Sequence, residues 1–129
     1  MTQRIGLIGC GAWGRHILRD LKSCGAIVHV VARSDASRRN AAAQHADSIA
    51  AGLGDLPPVD GYIVAAPSSL HAESIEALLP TKRPIYAETY YTRLHMGWSE
   101  LLSLIEGDRH LIQGPDPELY DLATDPGET

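Results

Sequence analysis

Along the first ninety residues, short and almost wholly apolar runs alternate with stretches in which apolar residues recur every three or four positions. Ile5-Gly6-Leu7-Ile8 has the character of a buried strand that stops at a glycine. From Ala12 the period lengthens. Trp13, Ile17, Leu21 and Cys24 fall on one helical stripe with Leu18 beside it, while Arg15, Arg19, Asp20 and Lys22 lie largely off that stripe. Gly25 stands where a C-terminal cap belongs. Ala26 to Ala32 predicts a second strand, and its near-continuous apolar character suits a parallel sheet covered on both faces.

Ser34 or Asp35 can cap a second helix reaching roughly His45, and residues 47–58 leave room for a short strand and a short helix before Pro57-Pro58. Val59 to Ala66 predicts a further strand, stopped by Pro67. Ser68 or Ser69 then caps a third helix that turns Leu70, Ile75, Leu78 and Leu79 to its buried side. Thr81-Lys82-Arg83-Pro84 leads into a last short strand, Ile85-Tyr86-Ala87. Strands alternating with helices at this spacing predict an α/β fold, a Rossmann-like doubly wound parallel sheet in the order 3-2-1-4-5.

Past Glu88 the alternation stops. Trp98, Leu101, Leu102 and Ile105 satisfy a helical stripe, yet Leu101 to Ile112 around Glu106-Gly107-Asp108 also satisfies a hairpin. The hairpin is preferred, because Glu118-Leu119-Tyr120-Asp121-Leu122 resembles a third strand before the Asp125-Pro126-Gly127 turn. Charge changes at the same place. Residues 1–87 carry nine Lys/Arg against seven Asp/Glu, and residues 88–129 carry two against nine. Residues 1–88 are therefore read as one domain and 89–129 as an acidic tail that is not a domain of its own.

The total of 129 residues leaves no room for a two-domain enzyme, and the net charge of −5 argues against nucleic acid as a partner. No apolar run is long enough to span a bilayer, so no membrane partner is expected. The first residues offer no signal peptide, and two cysteines outside any C-x-x-C motif suit a reducing compartment; a cytoplasmic protein is expected. Six histidines without ligand spacing predict no metal site.

The chemistry concentrates at Gly9-Cys10-Gly11-Ala12-Trp13-Gly14, a G-x-G-x-x-G string between a predicted strand and a predicted helix. Gly9 permits the tight turn, Gly11 admits a pyrophosphate to the backbone, and Gly14 lets helix and strand pack closely. The start of the helix, with Ala12 and Trp13, then favours an anion. Nineteen residues after Gly14 comes Arg33-Ser34, with Arg38 and Arg39 a turn beyond; Asp35 is two positions late for a ribose-binding acid. Arginine there accommodates a 2′-phosphate, which leans the reading to NADP over NAD and away from S-adenosylmethionine. Arg38 and Arg39 also read as a solvated helix face. The loop Ala66-Pro67-Ser68-Ser69-Leu70-His71 follows a strand end that faces the middle of such a cofactor. His71 reads equally as a ribose or substrate contact and as a solvated first-turn residue.

With these residues assembled, positions 1–88 resemble the N-terminal domain of the Gfo/Idh/MocA oxidoreductases. The likeness runs from the glycine loop through Val59-Asp60-Gly61-Tyr62-Ile63-Val64 and Pro67–His71 to Tyr86-Ala87-Glu88. It implies NAD(P)-dependent oxidation or reduction of a sugar, a polyol or a related compound. The family's Glu-Lys-Pro motif holds a lysine acid/base candidate and a glutamate near the nicotinamide ribose. This chain has Glu88-Thr89-Tyr90, and threonine supplies no tunable proton near neutral pH. Residues 90–101 and 118–129 resemble segments of the C-terminal half of sulfatases instead, without the modifiable residue of that chemistry.

The sequence therefore predicts a truncated, chimeric chain joined near Glu88. Its cofactor site would comprise Gly9, Gly11, Ala12, Trp13, Gly14, Arg33, Ser34, Arg38, Ala66, Pro67, Ser68, His71 and Glu88, with weak turnover or none. A fold fragment with no ligand, its tail covering a bare sheet edge, is the competing reading. A homo-oligomeric reductase is a third.

Overall fold

A computed structural model describes residues 2–89, 94, 96, 97 and 99–128, with the backbone alone at Ser68 and Thr89. One sheet of eight strands carries the fold. The strands are β1 (Arg4–Ile8), β2 (Ile27–Val31), β3 (Ser48–Ala50), β4 (Gly61–Val64), β5 (Ile85–Thr89), β6 (Leu101–Glu106), β7 (Arg109–Gln113) and β8 (Glu118–Asp121). Their order is β3-β2-β1-β4-β5-β6-β7-β8. The first five run parallel in the doubly wound order expected from the sequence. The last three form an antiparallel meander that begins on β5, with Ile85 opposite Ile105 and Thr89 opposite Leu101.

Helices α1 (Gly14–Ser23), α2 (Asp35–Ala43) and α3 (His71–Leu78) cover the parallel half. Each buries only part of the stripe its sequence provides: Leu18 and Leu78 are buried, whereas Trp13 and Cys24 of the first stripe and Leu70 and Leu79 of the third lie at the ends of their helices and are exposed. Leu18 of α1 and Ala41 of α2 pack with Leu7, Val28 and Val30 on one side of the sheet. Leu78 of α3 packs with Ile8, Val31, Val64, Ile85 and Ala87 on the other. Ile105 joins this second cluster, so the meander contributes a buried side chain to the core of the parallel half.

Local boundaries follow identifiable chemistry. Ser34 caps α2 by accepting the Ser37 N–H at 3.1 Å. Neither Ser68 nor Ser69 caps α3 as expected. Ser68–Leu70 forms a 3₁₀ turn, closed by the Leu70 N–H on Pro67 O at 2.8 Å, and the helix starts at His71. Residues 101–105 are strand, which removes the helical alternative there; Trp98, on which that alternative also leaned, lies outside the described residues. So do residues 90–93 and 95 of the sulfatase-like segment. Among the described residues no helix is long and apolar enough to cross a membrane.

Asp47 ties three elements at the far end of the sheet. Its carboxylate accepts Lys22 Nζ of α1 at 2.5 Å and the Val28 N–H of β2 at 2.8 Å, one residue before β3 begins. The Lys22 hydrogen bond and then the Val28 one hold its acid form below the ordinary carboxylate range.

Candidate functional site

Strand β1 has β2 on one side and β4 on the other, so the chain's direction of travel reverses at β1. A crevice opens beyond the carboxyl ends of parallel strands at such a point. Here it is a cleft of about 260 Å³ bordered by Gly9, Arg33, Ser34, Ala66 and Pro67, with Ser37 and Ser74 on its walls.

The glycine loop forms one margin. Gly9 has φ of +94°, and a Cβ there would lie 2.9 Å from the Ala66 nitrogen. Its N–H donates to Val31 O at 2.9 Å, which pins the turn to the end of β2. A Cβ at Gly14 would lie 2.6 Å from Gly9 O, so α1 approaches the loop as closely as a side-chain-free residue allows. Gly11 differs. A Cβ there would meet no protein atom within 4 Å. The protein's own packing requires the first and third glycines; the second faces open space. Asn40 Nδ2 of α2 donates to Cys10 O at 2.9 Å and steadies the loop from below. Cys10 itself is buried, and that burial raises its thiol above the ordinary value.

Beyond β2, Ser34 Oγ also donates to Ser37 Oγ at 3.0 Å. Arg33 is exposed at the rim. Arg38 does not border the cleft. Its guanidinium donates to Asp35 Oδ1 at 2.9 Å and to the Arg33 carbonyl at 3.1 Å, so it braces the backbone that presents Arg33. Arg39 is exposed on α2. His71 is likewise engaged: its Nε2–H donates to Ala66 O at 2.7 Å and holds the end of β4. Ser68 opens the 3₁₀ turn beside Pro67.

At the other end of the loop, Trp13 Nε1–H donates to Glu88 Oε1 at 2.7 Å, and Tyr86 O–H donates to Glu88 Oε2 at 2.6 Å. The carboxylate of β5 is thereby clamped to the residue before α1. Of the sequence-derived residues, Gly9, Arg33, Ser34, Ala66 and Pro67 line the cleft, and Trp13 and Glu88 are joined to each other beyond the loop; Arg38 and His71 do not line it. Three contributors were missed. Ser37 stands one helical turn after the Ser34 cap, Ser74 lies four residues after Leu70, and Asn40 reaches the loop across thirty residues. The first two spacings were visible in the sequence; the third was not. Among the described residues no three His, Cys, Asp or Glu gather closely enough to hold a metal ion.

No family model matches the chain. Inositol 2-dehydrogenase 2 of Saccharopolyspora erythraea is 33% identical over 95 residues, which are 68% of this chain and 28% of that protein. The chain thus spans little more than a quarter of the length of this relative. Among solved structures, arogenate dehydrogenase of Synechocystis is similar at a TM-score of 0.55 and 17% identity, over 66% of this chain and 40% of the other. A Bacteroides fragilis protein, provisionally described as an NADP oxidoreductase, is similar at 0.55 and 21%, over 67% and 43%. The fold shared with these structures is the Rossmann-like doubly wound sheet, and the sequence bears a weak likeness to a dehydrogenase of the Gfo/Idh/MocA type.

Proposed function

We infer that this chain binds a nicotinamide dinucleotide as the cofactor unit of an oxidoreductase acting on a sugar- or polyol-like substrate. The observation that carries this reading is the contrast within the glycine loop. Gly9 and Gly14 are explained by contacts with the protein, whereas Gly11 faces open space two residues after Gly9, which lines the cleft at the reversal point of the sheet. A pyrophosphate fits there, over the N-terminus of α1. A cleft of about 260 Å³ takes one nucleoside half; the remainder lies along the loop toward Glu88. When bound, the nicotinamide would supply the hydride acceptor or donor.

The chain's residues have distinct tasks in this reading. Gly9, Gly11, Ala12, Trp13 and Gly14 form the pyrophosphate cradle, and Ala66, Pro67 and Ser68 border the middle of the cofactor. Ser34 and Arg33 meet the adenosine ribose, Arg33 favouring NADP over NAD, while Arg38 and His71 hold the backbone on either side. Glu88 sits at the nicotinamide end. Residues 1–88 are the cofactor-binding unit and 89–129 an acidic appendage with the look of sulfatase segments, joined to it through β6.

Titration with NADPH and NADH, followed by Trp13 fluorescence in a Trp98→Phe background, tests the reading. Micromolar binding, tighter for NADPH and weakened about tenfold toward NADPH alone by Arg33→Ser, is the expected result. Affinities that are millimolar or absent for both cofactors would overturn it.

A further inference from the structure

The meander holds a second chemical arrangement, in a hollow that adjoins the cofactor site through Glu88 and His71. Ser103 of β6 and His110 of β7 are diagonal neighbours across the hairpin, and Ser103 Oγ lies 2.7 Å from His110 Nε2. The other ring nitrogen, Nδ1, is hydrogen-bonded to Glu128 Oε1. A carboxylate only accepts, so in the neutral ring Nδ1 carries the proton and Nε2 is left to accept from the serine hydroxyl. Nucleophile, base and orienting carboxylate stand in the order that activates a serine. The Asp125-Pro126-Gly127 turn returns the chain for this contact, and Glu128 is held there at φ of 53°, a backbone conformation that side-chain-bearing residues seldom adopt. His110 is nearly buried, with 12% of its side chain exposed, while Ser103 opens into a hollow of about 220 Å³.

We propose that Ser103, His110 and Glu128 form a nucleophilic site that takes an acyl group from small neutral esters. The hollow is walled by Ile75, Leu101, Leu102 and Ile112, which suits a short acyl chain, and among the described residues no Lys or Arg lines it. Glu88 at its edge and Glu128 behind His110 disfavour an anionic substrate such as a phosphate ester. In the reaction Ser103 Oγ bonds to the ester carbonyl carbon, its proton passes to His110 Nε2 and from there to the departing oxygen, which leaves as an alcohol or phenol with the electrons of the broken C–O bond. A water then attacks the acyl-serine and gives one proton to His110, which returns it to Ser103 Oγ as the Oγ–C bond breaks; the acid released loses its own proton to solvent. Strand β6 is paired on both sides, so its backbone N–H groups are committed to the ladder and offer weak support to a tetrahedral oxyanion. Both half-reactions are slowed by this, but an activated ester with a phenolate-type leaving group acylates faster than water deacylates, giving a burst of one equivalent followed by slow turnover.

The test treats the full chain, without cofactor, with an alkyl fluorophosphonate and locates the adduct by mass spectrometry. In that reaction Oγ–P forms, P–F breaks, and the proton passes through His110 to solvent. Ser103 should be the labelled residue, reacting about 100-fold faster than in His110→Gln and not at all after Ser103→Ala. p-Nitrophenyl butyrate should show the matching burst, absent in both variants. Circular dichroism checks that each variant is folded, and added imidazole should restore labelling of Ser103 in a His110→Ala chain. Labelling no faster than in His110→Gln, or label spread over other serines, would overturn the proposal.

Discussion

Replacing Gly9 with alanine places a Cβ against the Ala66 backbone in a conformation of φ +94°. The substitution should cost about 2–3 kcal/mol, read from a urea midpoint. Gly11→Ala meets no protein atom and should leave the midpoint within about 0.5 kcal/mol, yet weaken dinucleotide binding at least tenfold by calorimetry. A pair of variants two residues apart thus separates the requirements of the fold from those of the ligand. Cysteine chemistry divides along the chain in the same manner. Cys24 is exposed at the end of α1, whereas Cys10 is buried under the loop with its thiol held protonated by that burial. Iodoacetamide should modify Cys24 in the native protein and reach Cys10 only on unfolding, as peptide mapping would show. The loop glycines were legible because their reasons are local, a tight turn and a close approach within six residues. The Ser103–His110–Glu128 arrangement was not, because hairpin register and a returning turn bring its members together from separate stretches of chain.

Among the elements, those whose apolar residues run unbroken were readable from the start: β1, β2 and β4 have no helical alternative of comparable length. The stretch 101–105 was ambiguous because Leu101, Leu102 and Ile105 satisfy both periods. What decides it is the unpaired edge of β5, a partner that no local window contains. The start of α3 was misplaced because Ser68 and Ser69 resemble caps, while the residue after Pro67 enters a 3₁₀ turn instead. Asp47 shows how a single side chain joins elements. Asp47→Ala leaves the Val28 N–H and Lys22 without their acceptor and should cost about 1 kcal/mol at neutral pH, a modest figure because solvent reaches the pair. Since folding lowers the Asp47 pKa, this stabilisation is complete above the ordinary value of 3.8 and fades as pH falls through the lower folded value. Urea midpoints of the two proteins should accordingly converge in acid.

In the molecule as a whole, the division by charge at residue 88 is no division of structure. Acidic tail and slightly basic body share one sheet, and Ile105 of the tail is buried with Leu78 and Ile85 of the body. A chain ending at Thr89 should therefore lose stability, with about 2–4 kcal/mol attributable to Ile105 alone, and expose β5 as an open edge that draws molecules together. Size-exclusion chromatography and urea denaturation check both effects; a monomer with an unchanged midpoint would count against a structural tail. The same seam has a consequence in time. During synthesis β5 leaves the ribosome before its covering strand, and β6 is secured only once β7 has folded back on it, about 24 residues later. At about 5–20 residues per second, β5 stays an uncovered template for one to five seconds in every molecule made. Nascent chains on one polysome are held close together through that interval. Slower translation across residues 90–113 would lengthen it, so yield of soluble protein depends on codon speed in a stretch far along the chain from the glycine loop.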